Sequence, residues 1–335
     1  MRVAAMMGAA SRATALRRGA RVIAKKRIEM KKIVLTMGLL GALALGAAER
    51  WVPDYLRKIS VTIRAESGYS KAEGSGTLIV RDVKDGDKIV SRVFVLTAGH
   101  VISDLRREEN TLIDGKPVRK VSFENPKILR ELRNKDGRRT GQVVVDTKVI
   151  RYSPADKRDV ALLMVMAEDF KAEASAEFLP EGAKPIRIGE RLWHCGSLLG
   201  ASGGGHNSIT DGVLSARGRV LFDVPFDQQT CPAYPGSSGG IIATSSDYPG
   251  GAGKFASMLV RGAGSDFNLA VPTSALWAWS KSNGVEWMMT PKLPVTMKQI
   301  NALPVEGPGA GGGKDGGKLK NYPFLIRKAM SKGGE

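Results

Sequence analysis

The chain has 335 residues, 42% of them hydrophobic, so it can bury a sizeable core as one two-lobed domain or as two domains. Its three scattered histidines and two cysteines exclude a zinc cluster, and no metal or other cofactor is expected. Lysine and arginine outnumber aspartate and glutamate by 51 to 33, and the 40 glycines among short, numerous apolar runs favour an all-β architecture.

Residues 30–48 have the pattern of a signal peptide or a membrane anchor. Met30 and two lysines precede an apolar run, which ends in the small residues Gly-Ala-Ala. The apolar stretch 33–48 is shorter than the ~20 residues that comfortably span a bilayer, which favours a cleaved signal peptide over an anchor. The sequence therefore predicts export to the periplasm or the extracellular space, with membrane anchoring through residues 33–48 as the alternative.

Two flanking segments, 1–29 and 49–58, are predicted to lie outside the folded domain. Residues 1–29 are arginine-rich with a single acid, Glu29, so they are either a presequence or an untranslated extension before a true start at Met30. Without residues 1–48 the formal charge falls from +18 to +9, because ten basic residues and one acidic residue are lost. Residues 49–58 are predicted to be a short amphipathic linker.

The first strand-rich region leads to a candidate catalytic histidine. Alternating apolar residues begin at Ile59, and the sequence Lys-Asp-Gly-Asp at 84–87 predicts a hairpin turn. The returning strand runs into LTAGHVI, which sets His100 at the end of an apolar run. His194 and His206 have no comparable setting, so His100 is the candidate base.

A basic segment, 125–139, separates this histidine from the next motif. It is predicted to be a surface insertion with a helical turn. Its charge would suit an anionic surface, but runs of charge are usually solvated faces, and no aromatic residues or nucleic-acid motif accompany it. No nucleic-acid partner is therefore expected.

Asp159 stands immediately before the apolar run Val160 to Val165, where a buried acid would lie at the start of a strand. Asp156 is the less suitable candidate, because it belongs to a polar loop with Lys157. Asp159 is therefore the predicted partner of the histidine.

A serine between glycines is the third candidate. In Gly236-Ser237-Ser238-Gly239, a tight turn would expose the Ser238 hydroxyl beside the bare backbone N–H groups of Gly236 and Ser238, which could form an oxyanion hole. A serine, a base and a buried acid are what nucleophilic acyl transfer requires.

Taken together, these motifs resemble those of chymotrypsin-fold, trypsin-like serine proteases, most nearly the Deg/HtrA type. The resemblance extends over roughly residues 59–283. The segments that carry it are LTAGHVI (96–102), RDVALL (158–163), QTCPAYPGSSGG (229–240), GSGTLIV (74–80), DGVLSARGRV (211–220) and FNLAVPTSAL (267–276).

The resemblance implies an all-β fold of two six-stranded antiparallel β-barrels, with the active site in the cleft between them and a short C-terminal helix. The implied organisation is an N-terminal barrel at 59–167, a linker at 168–184, and a second barrel with its closing helix at 185–290. The Pro/Gly-rich tail, 291–335, is predicted to be disordered. It is too short for the PDZ domain that is common in Deg proteins.

The implied function is a serine endopeptidase with the triad His100, Asp159 and Ser238, an acyl-enzyme intermediate, and protein or peptide substrates. Two alternatives remain open. One is a catalytically silent binding module, because fold does not imply function. The other is a viral or phage protease that processes its own polyprotein.

The resemblance also suggests substrate-binding residues. Pro232 falls where trypsin-like enzymes place their specificity aspartate, so strict preference for lysine or arginine is not expected. Val260, Arg261 and Gly262 would flank the substrate backbone. Arg261 either favours acidic substrate side chains or points to solvent, and the second interpretation is preferred. Ser237 replaces the aspartate of zymogen-type proteases, which excludes their ion-pair activation switch.

Cys195 and Cys231 both lie in the second lobe. Export to an oxidising compartment would allow them to form a disulfide, and two free buried thiols are the equal alternative.

Overall fold

The computed structural model describes residues 51–307, apart from residues 69, 114–115, 205, 222–223 and 263–265. The predicted extension 1–29, the signal or anchor segment 30–48 and the tail beyond residue 307 lie outside the described residues. In the part that is described, no helix combines the length and the apolar character needed to cross a bilayer.

The first half of the described chain forms a closed six-stranded barrel and a separate hairpin. The barrel has the strand order β1-β2-β3-β8-β7-β6, and β6 pairs with β1 to close it. Strands β4 and β5 form the two-stranded hairpin directly after His100. The bounds are β1 (Ser60–Ser67), β2 (Ser70–Asp85), β3 (Lys88–Thr97), β4 (Arg106–Ile113), β5 (Lys116–Phe123), β6 (Lys127–Arg133), β7 (Arg139–Ser153) and β8 (Val160–Val165).

The second half forms another closed barrel with the order β10-β11-β14-β13-β12-β9. Its strands also pair antiparallel, and β9 closes the barrel on β10. The all-β fold of two six-stranded barrels is therefore confirmed. The bounds are β9 (Arg191–Ser197), β10 (Asn207–Leu221), β11 (Val224–Gln229), β12 (Ile241–Thr244), β13 (Phe255–Gly262) and β14 (Asn268–Pro272).

Local sequence accounts for the strand that follows Asp159. All six residues of β8, Val-Ala-Leu-Leu-Met-Val, are buried, and the strand lies between β3 and β7 in the barrel wall. The predicted hairpin turn is also confirmed: Asp85 pairs with Lys88, and Gly86 takes a positive φ of 58° between them.

The basic segment 125–139 differs from its prediction. It is not an insertion with a helical turn, because residues 127–133 form β6 and Arg139 begins β7. Ile128 and Leu129 are buried, whereas every basic side chain of the segment is at least partly exposed. Because charged residues surround Ile128 and Leu129, the sequence analysis did not predict a barrel strand in this segment.

The predicted linker 49–58 is largely a helix, α1 (Val52–Ile59). Val52, Leu56 and Ile59 recur at helical spacing and are buried on one face. Tyr55 donates a hydrogen bond to the carbonyl of Ser175 at 2.8 Å. The amphipathic pattern that suggested a linker is therefore the signature of a docked helix.

The C-terminal part of the described chain contains two helices. The closing helix, α2 (Thr273–Ser282), is confirmed and buries Leu276, Trp277 and Trp279. A second helix, α3 (Met297–Ala302), begins with a capping box between Thr296 and Gln299. The predicted disorder of 291–335 is thus wrong for residues 291–307.

Two buried arginines of the first barrel hold residues 283–306, the C-terminal segment of the described chain. Arg81 donates to the carbonyls of Trp287 and Met288, and burial lowers the pKa of its guanidinium to about 10. Arg151 donates to the carbonyls of Asn283, Pro304 and Glu306. Because buried carbonyls need donors, these contacts explain why a proline-rich stretch is ordered here.

Replacing Arg151 with methionine should lower the free energy of unfolding by about 3 kcal/mol, since it leaves buried carbonyls without a donor. Arg187→Met is the control: Arg187 has 81% of its side chain exposed, and its replacement should cost less than about 0.5 kcal/mol. Urea unfolding measures both. Equal effects would mean that Arg151 does not stabilise the C-terminal segment.

Candidate active site

His100 and Asp159 are joined by hydrogen bonds in the first barrel. His100 lies in a short 3-10 turn, Gly99–Val101, immediately after β3. Its Nδ1 is 2.9 Å from Asp159 Oδ2 and 3.1 Å from Oδ1, and its backbone N–H donates to Oδ1 at 2.8 Å. The structure therefore brings these two predicted residues together.

Asp159 is fully buried and takes a left-handed backbone conformation, with φ at 54°. Aspartate tolerates this region better than most residues. A hydrogen bond of 3.0 Å from the Asp159 N–H to the carbonyl of Pro154 closes the turn that leads into β8. This turn directs the carboxylate at the histidine.

Opposing effects set the protonation of the pair. Burial acts to lower the pKa of His100, but the charge of Asp159 and its hydrogen bond outweigh burial and raise the pKa above its ordinary value. Burial likewise acts to raise the pKa of Asp159, and the histidine's charge and hydrogen bonds bring that pKa below its ordinary value. The carboxylate is thus held in its charged form.

Arg261, on β13 of the second barrel, is close enough to His100 and Asp159 for its charge to act on both. Its Nη2 donates to the carbonyl of Ala155 at 2.8 Å, and its guanidinium lies 5.3 Å from the ring centroid of Phe226. Its charge acts to lower the pKa of both His100 and Asp159. The interpretation that Arg261 points to solvent is wrong, because a carbonyl and an aromatic face hold its side chain.

Ser238 follows a tight turn in the second barrel. The Ser237 N–H donates to the Tyr234 carbonyl at 2.9 Å, with Pro235 and Gly236 between them. Gly236 has a φ of 93°, so the turn is type II, which requires glycine or asparagine at that position.

The peptide between Pro235 and Gly236 has a defined orientation. The Pro235 carbonyl accepts a hydrogen bond from the Leu199 N–H at 2.6 Å. Because C=O and N–H point in opposite directions in a trans peptide, the Gly236 N–H faces away from Leu199. Within residues 51–307 as described, neither this N–H nor that of Ser238 donates a hydrogen bond.

The serine turn lies against the segment that carries the histidine. The Ser238 carbonyl accepts from the Ser75 N–H at 2.7 Å. Gly239 is so close to the first barrel that a Cβ there would lie 2.9 Å from the amide nitrogen of Ala98, two residues before His100. Among the described residues, however, no hydrogen bond joins the Ser238 hydroxyl to the imidazole.

The predicted substrate-binding residues lie near a residue that the sequence analysis missed, Asn268. Gly262 pairs with Asn268 across β13 and β14, and a Cβ on Gly262 would lie 2.5 Å from the Asn268 side-chain oxygen. Asn268 also donates to the Cys231 carbonyl at 2.8 Å, next to Pro232. Val260 is buried two residues before Gly262. The strand pairing, which no local pattern reveals, brings Asn268 here.

Ser75 was also missed as a functional residue, although it lies in the GSGTLIV segment. It contacts the serine turn through both its N–H and its hydroxyl. A polar residue between glycines, shortly before the apolar run Leu-Ile-Val at 78–80, was the available signal.

The two cysteines are free, buried thiols, and not a disulfide. They belong to different clusters of the core, Cys195 to the larger and Cys231 to the smaller. Burial raises the pKa of each thiol to about 12, so neither is a reactive thiolate. In the described part of the chain, no group of three or more metal-binding side chains is arranged to hold an ion.

Comparison with known proteins gives one family match. The family model for a trypsin-like peptidase domain matches residues 74–247, more than half of the chain. No curated protein matches the chain significantly.

HtrA-type and related serine proteases are among the solved structures that are similar to the chain. The HtrA-type protease AlgW with a tripeptide is 17% identical over 70% of this chain and 62% of its own, with a TM-score of 0.47. A serine endoprotease from Yersinia pestis is 16% identical over 72% of this chain and 68% of its own, with a TM-score of 0.44. The chain thus spans less than two thirds of the length of AlgW.

The charges around His100 predict opposite changes in its pKa. Asp159→Asn should lower the pKa of His100, because burial then acts without the compensating carboxylate. Arg261→Gln should raise the pKa, because a nearby positive charge is lost. NMR titration of the imidazole measures both, with Arg187→Gln on the exposed surface as the control. A downward shift in Arg261→Gln would contradict the electrostatic account.

Proposed function

Because this chain belongs to the trypsin-like peptidase family, we propose that it is a serine endopeptidase acting through His100, Asp159 and Ser238. The observation that carries the proposal is the hydrogen-bonded pair of His100 and buried Asp159 beside the turn that bears Ser238. Each of the three residues has a role that follows from its surroundings.

His100 is the proposed general base. Asp159 accepts the hydrogen bond from Nδ1, so the lone pair lies on Nε2, the nitrogen that takes the Ser238 proton. As the Ser238 oxygen bonds to the substrate carbonyl carbon, the imidazole becomes positively charged. The buried carboxylate stabilises that charge and does not itself take the proton.

The N–H groups of Gly236 and Ser238 are the proposed oxyanion hole. The type II turn leaves both without a partner in the described residues, and the Gly236 N–H faces away from Leu199. Each donor to a developing oxyanion contributes about 3–4 kcal/mol in well-studied enzymes.

Breakdown of the intermediate completes the first half of the reaction. The peptide C–N bond breaks, and His100 gives its proton to the leaving amine, which leaves an acyl ester on Ser238. Water then attacks the ester carbonyl while His100 takes one of its protons. The bond between the acyl carbon and the Ser238 oxygen breaks, and His100 returns the proton to that oxygen as the acid product leaves.

The proposed substrates are proteins or peptides that lie along β13. Val260, Arg261 and Gly262 would flank the substrate backbone, and Pro232 would line the pocket for the side chain before the scissile bond, with Asn268 buried behind it. Neither Pro232 nor Asn268 carries a charge, so lysine and arginine should not be preferred there. Export directed by residues 30–48 stays a prediction from the sequence.

One observation favours a second candidate, the catalytically silent binding module. In the described residues the Ser238 hydroxyl makes no hydrogen bond to His100. Such bonds are often long in free enzymes and shorten when substrate binds, so this geometry also suits an active peptidase. Chemical reactivity of the serine distinguishes the two.

A fluorophosphonate probe should label the wild-type protein and leave Ser238→Ala and His100→Ala unlabelled. The reason is that the probe needs a serine whose proton is removed by a base. Ser246→Ala, which removes an exposed hydroxyl of a different loop, is the matched control and should label like the wild type. The wild type and Ser246→Ala should also hydrolyse a denatured protein substrate, and Ser238→Ala and His100→Ala should not.

The outcomes separate the two functions. Labelling that depends on Ser238 and His100 supports the peptidase. A folded wild-type protein that neither labels nor cleaves would favour the silent binding module, and labelling retained in Ser238→Ala would show that another nucleophile reacts.

A further inference from the structure

Ser75 uses its backbone and its hydroxyl to connect the two barrels. It is fully buried in β2 of the first barrel. Its hydroxyl donates to the Gly236 carbonyl at 2.7 Å and accepts from the Ser197 N–H at 2.7 Å. Its N–H donates to the Ser238 carbonyl at 2.7 Å. One residue of the first barrel thus holds both the serine turn and the end of β9.

The contacts at the serine turn orient the peptides that flank the proposed oxyanion donors. The carbonyls of Pro235, Gly236 and Ser237 accept, respectively, from the Leu199 N–H, the Ser75 hydroxyl and the Gly240 N–H. Each carbonyl is thereby turned away from the space that the free N–H groups face. Of these three peptides, only the one between Gly236 and Ser237 is held by a side chain, that of Ser75.

The alternative conformation of this turn would abolish the oxyanion hole. Rotating the Pro235–Gly236 peptide by about 180° converts a type II turn into a type I turn, which also accepts proline at its second position. That rotation would aim the Pro235 carbonyl oxygen where the oxyanion must bind. The turn sequence is compatible with both states, so contacts from outside the turn select between them.

The loop that supplies the Leu199 N–H is held by β2, the strand that carries Ser75. Residues 198–204 follow β9, and Leu199, a non-glycine residue, has a positive φ of 62°. Such a backbone conformation persists only when the surroundings enforce it. Glu73 lies two residues before Ser75, on the same face of β2, and accepts from the Ala201 N–H and from Arg64 Nε.

We propose that Ser75 is the positioning residue of the oxyanion hole, with Glu73 in support. It holds the 234–238 turn in its type II form by fixing the Gly236 carbonyl directly and the Leu199 loop through the Ser197 N–H. The inference rests on the proposed peptidase function.

The kinetic signature of this role differs from that of a general packing defect. An oxyanion hole binds charge that develops only in the transition state, so its loss lowers kcat and leaves KM nearly unchanged. A defect in the fold or in the substrate cleft would raise KM or lower the stability as well.

The test compares Ser75→Ala with Thr77→Val. Thr77 is equally buried and lies on the same face of β2, but its hydroxyl has no hydrogen-bond partner among the described residues. Ser75→Ala should lower kcat by roughly 10²-fold, as the loss of one oxyanion donor does, with KM little changed. Thr77→Val should retain the wild-type kcat.

Glu73→Ala provides a second variant in case Ser75→Ala does not fold. It keeps the Ser75 contacts with the serine turn and removes the acceptor of the Ala201 N–H and of Arg64 Nε, so it should lower kcat by a smaller factor than Ser75→Ala does. Glu73→Gln keeps an acceptor for the Ala201 N–H and should restore most of that loss. Unchanged kcat in both Ser75→Ala and Glu73→Ala, or an equal loss in Thr77→Val, would overturn the inference.

A crystal structure of Ser75→Ala separates this inference from the proposed function. A rotated Pro235–Gly236 peptide supports the positioning role even if the wild-type protein proves inactive. A retained type II turn with full order overturns that role, whether or not the wild type is a peptidase.

Discussion

The contact between β2 at Ser75 and the 236–239 turn is the constraint on which the candidate site depends. The proposed base and acid come from the first barrel and the proposed nucleophile from the second, so the proposed chemistry requires the two barrels to keep a fixed relative position. Two hydrogen bonds from Ser75 and the close approach of Gly239 to the Ser75 carbonyl set that relative position. Only glycine permits such an approach, because a Cβ at position 239 would overlap the opposing backbone.

Three arginines join distant parts of this chain through backbone carbonyl groups. Arg261 reaches a carbonyl of the loop before Asp159, while Arg81 and Arg151 reach carbonyls of the C-terminal segment. A guanidinium in such a site remains charged and directional, so each contact fixes a backbone segment. At the active site the same arrangement also brings a positive charge near His100, where it opposes the effect of Asp159.

Much of the architecture could be predicted because the local patterns are strong. The two barrels, the Gly86 hairpin and the helix α2 follow from short apolar runs, turn residues and a family resemblance. Three segments were misassigned where local composition conflicts with tertiary packing. Helix α1 is short and polar enough to resemble a linker, β6 is rich in charged residues like a surface insertion, and residues 291–307 contain prolines like a disordered tail. Each is ordered through partners that lie far away in the sequence and that no local pattern contains: Ser175 for Tyr55 of α1, β1 for β6, and Arg151 for residues 304–306.

The amino-acid sequence alone contains the residue types that the proposed chemistry needs, in their order along the chain. It placed His100 at a strand end, Asp159 before a buried strand and Ser238 in a glycine-rich turn. Which polar groups come within hydrogen-bond distance of each other depends on the tertiary structure. The Ser75 hydroxyl and the Gly236 carbonyl are 161 positions apart, and Arg261 lies 106 positions from the carbonyl that it contacts. Such pairings depend on how the barrels pack, because hydrogen bonds of about 3 Å require a geometry that propensity and periodicity do not specify.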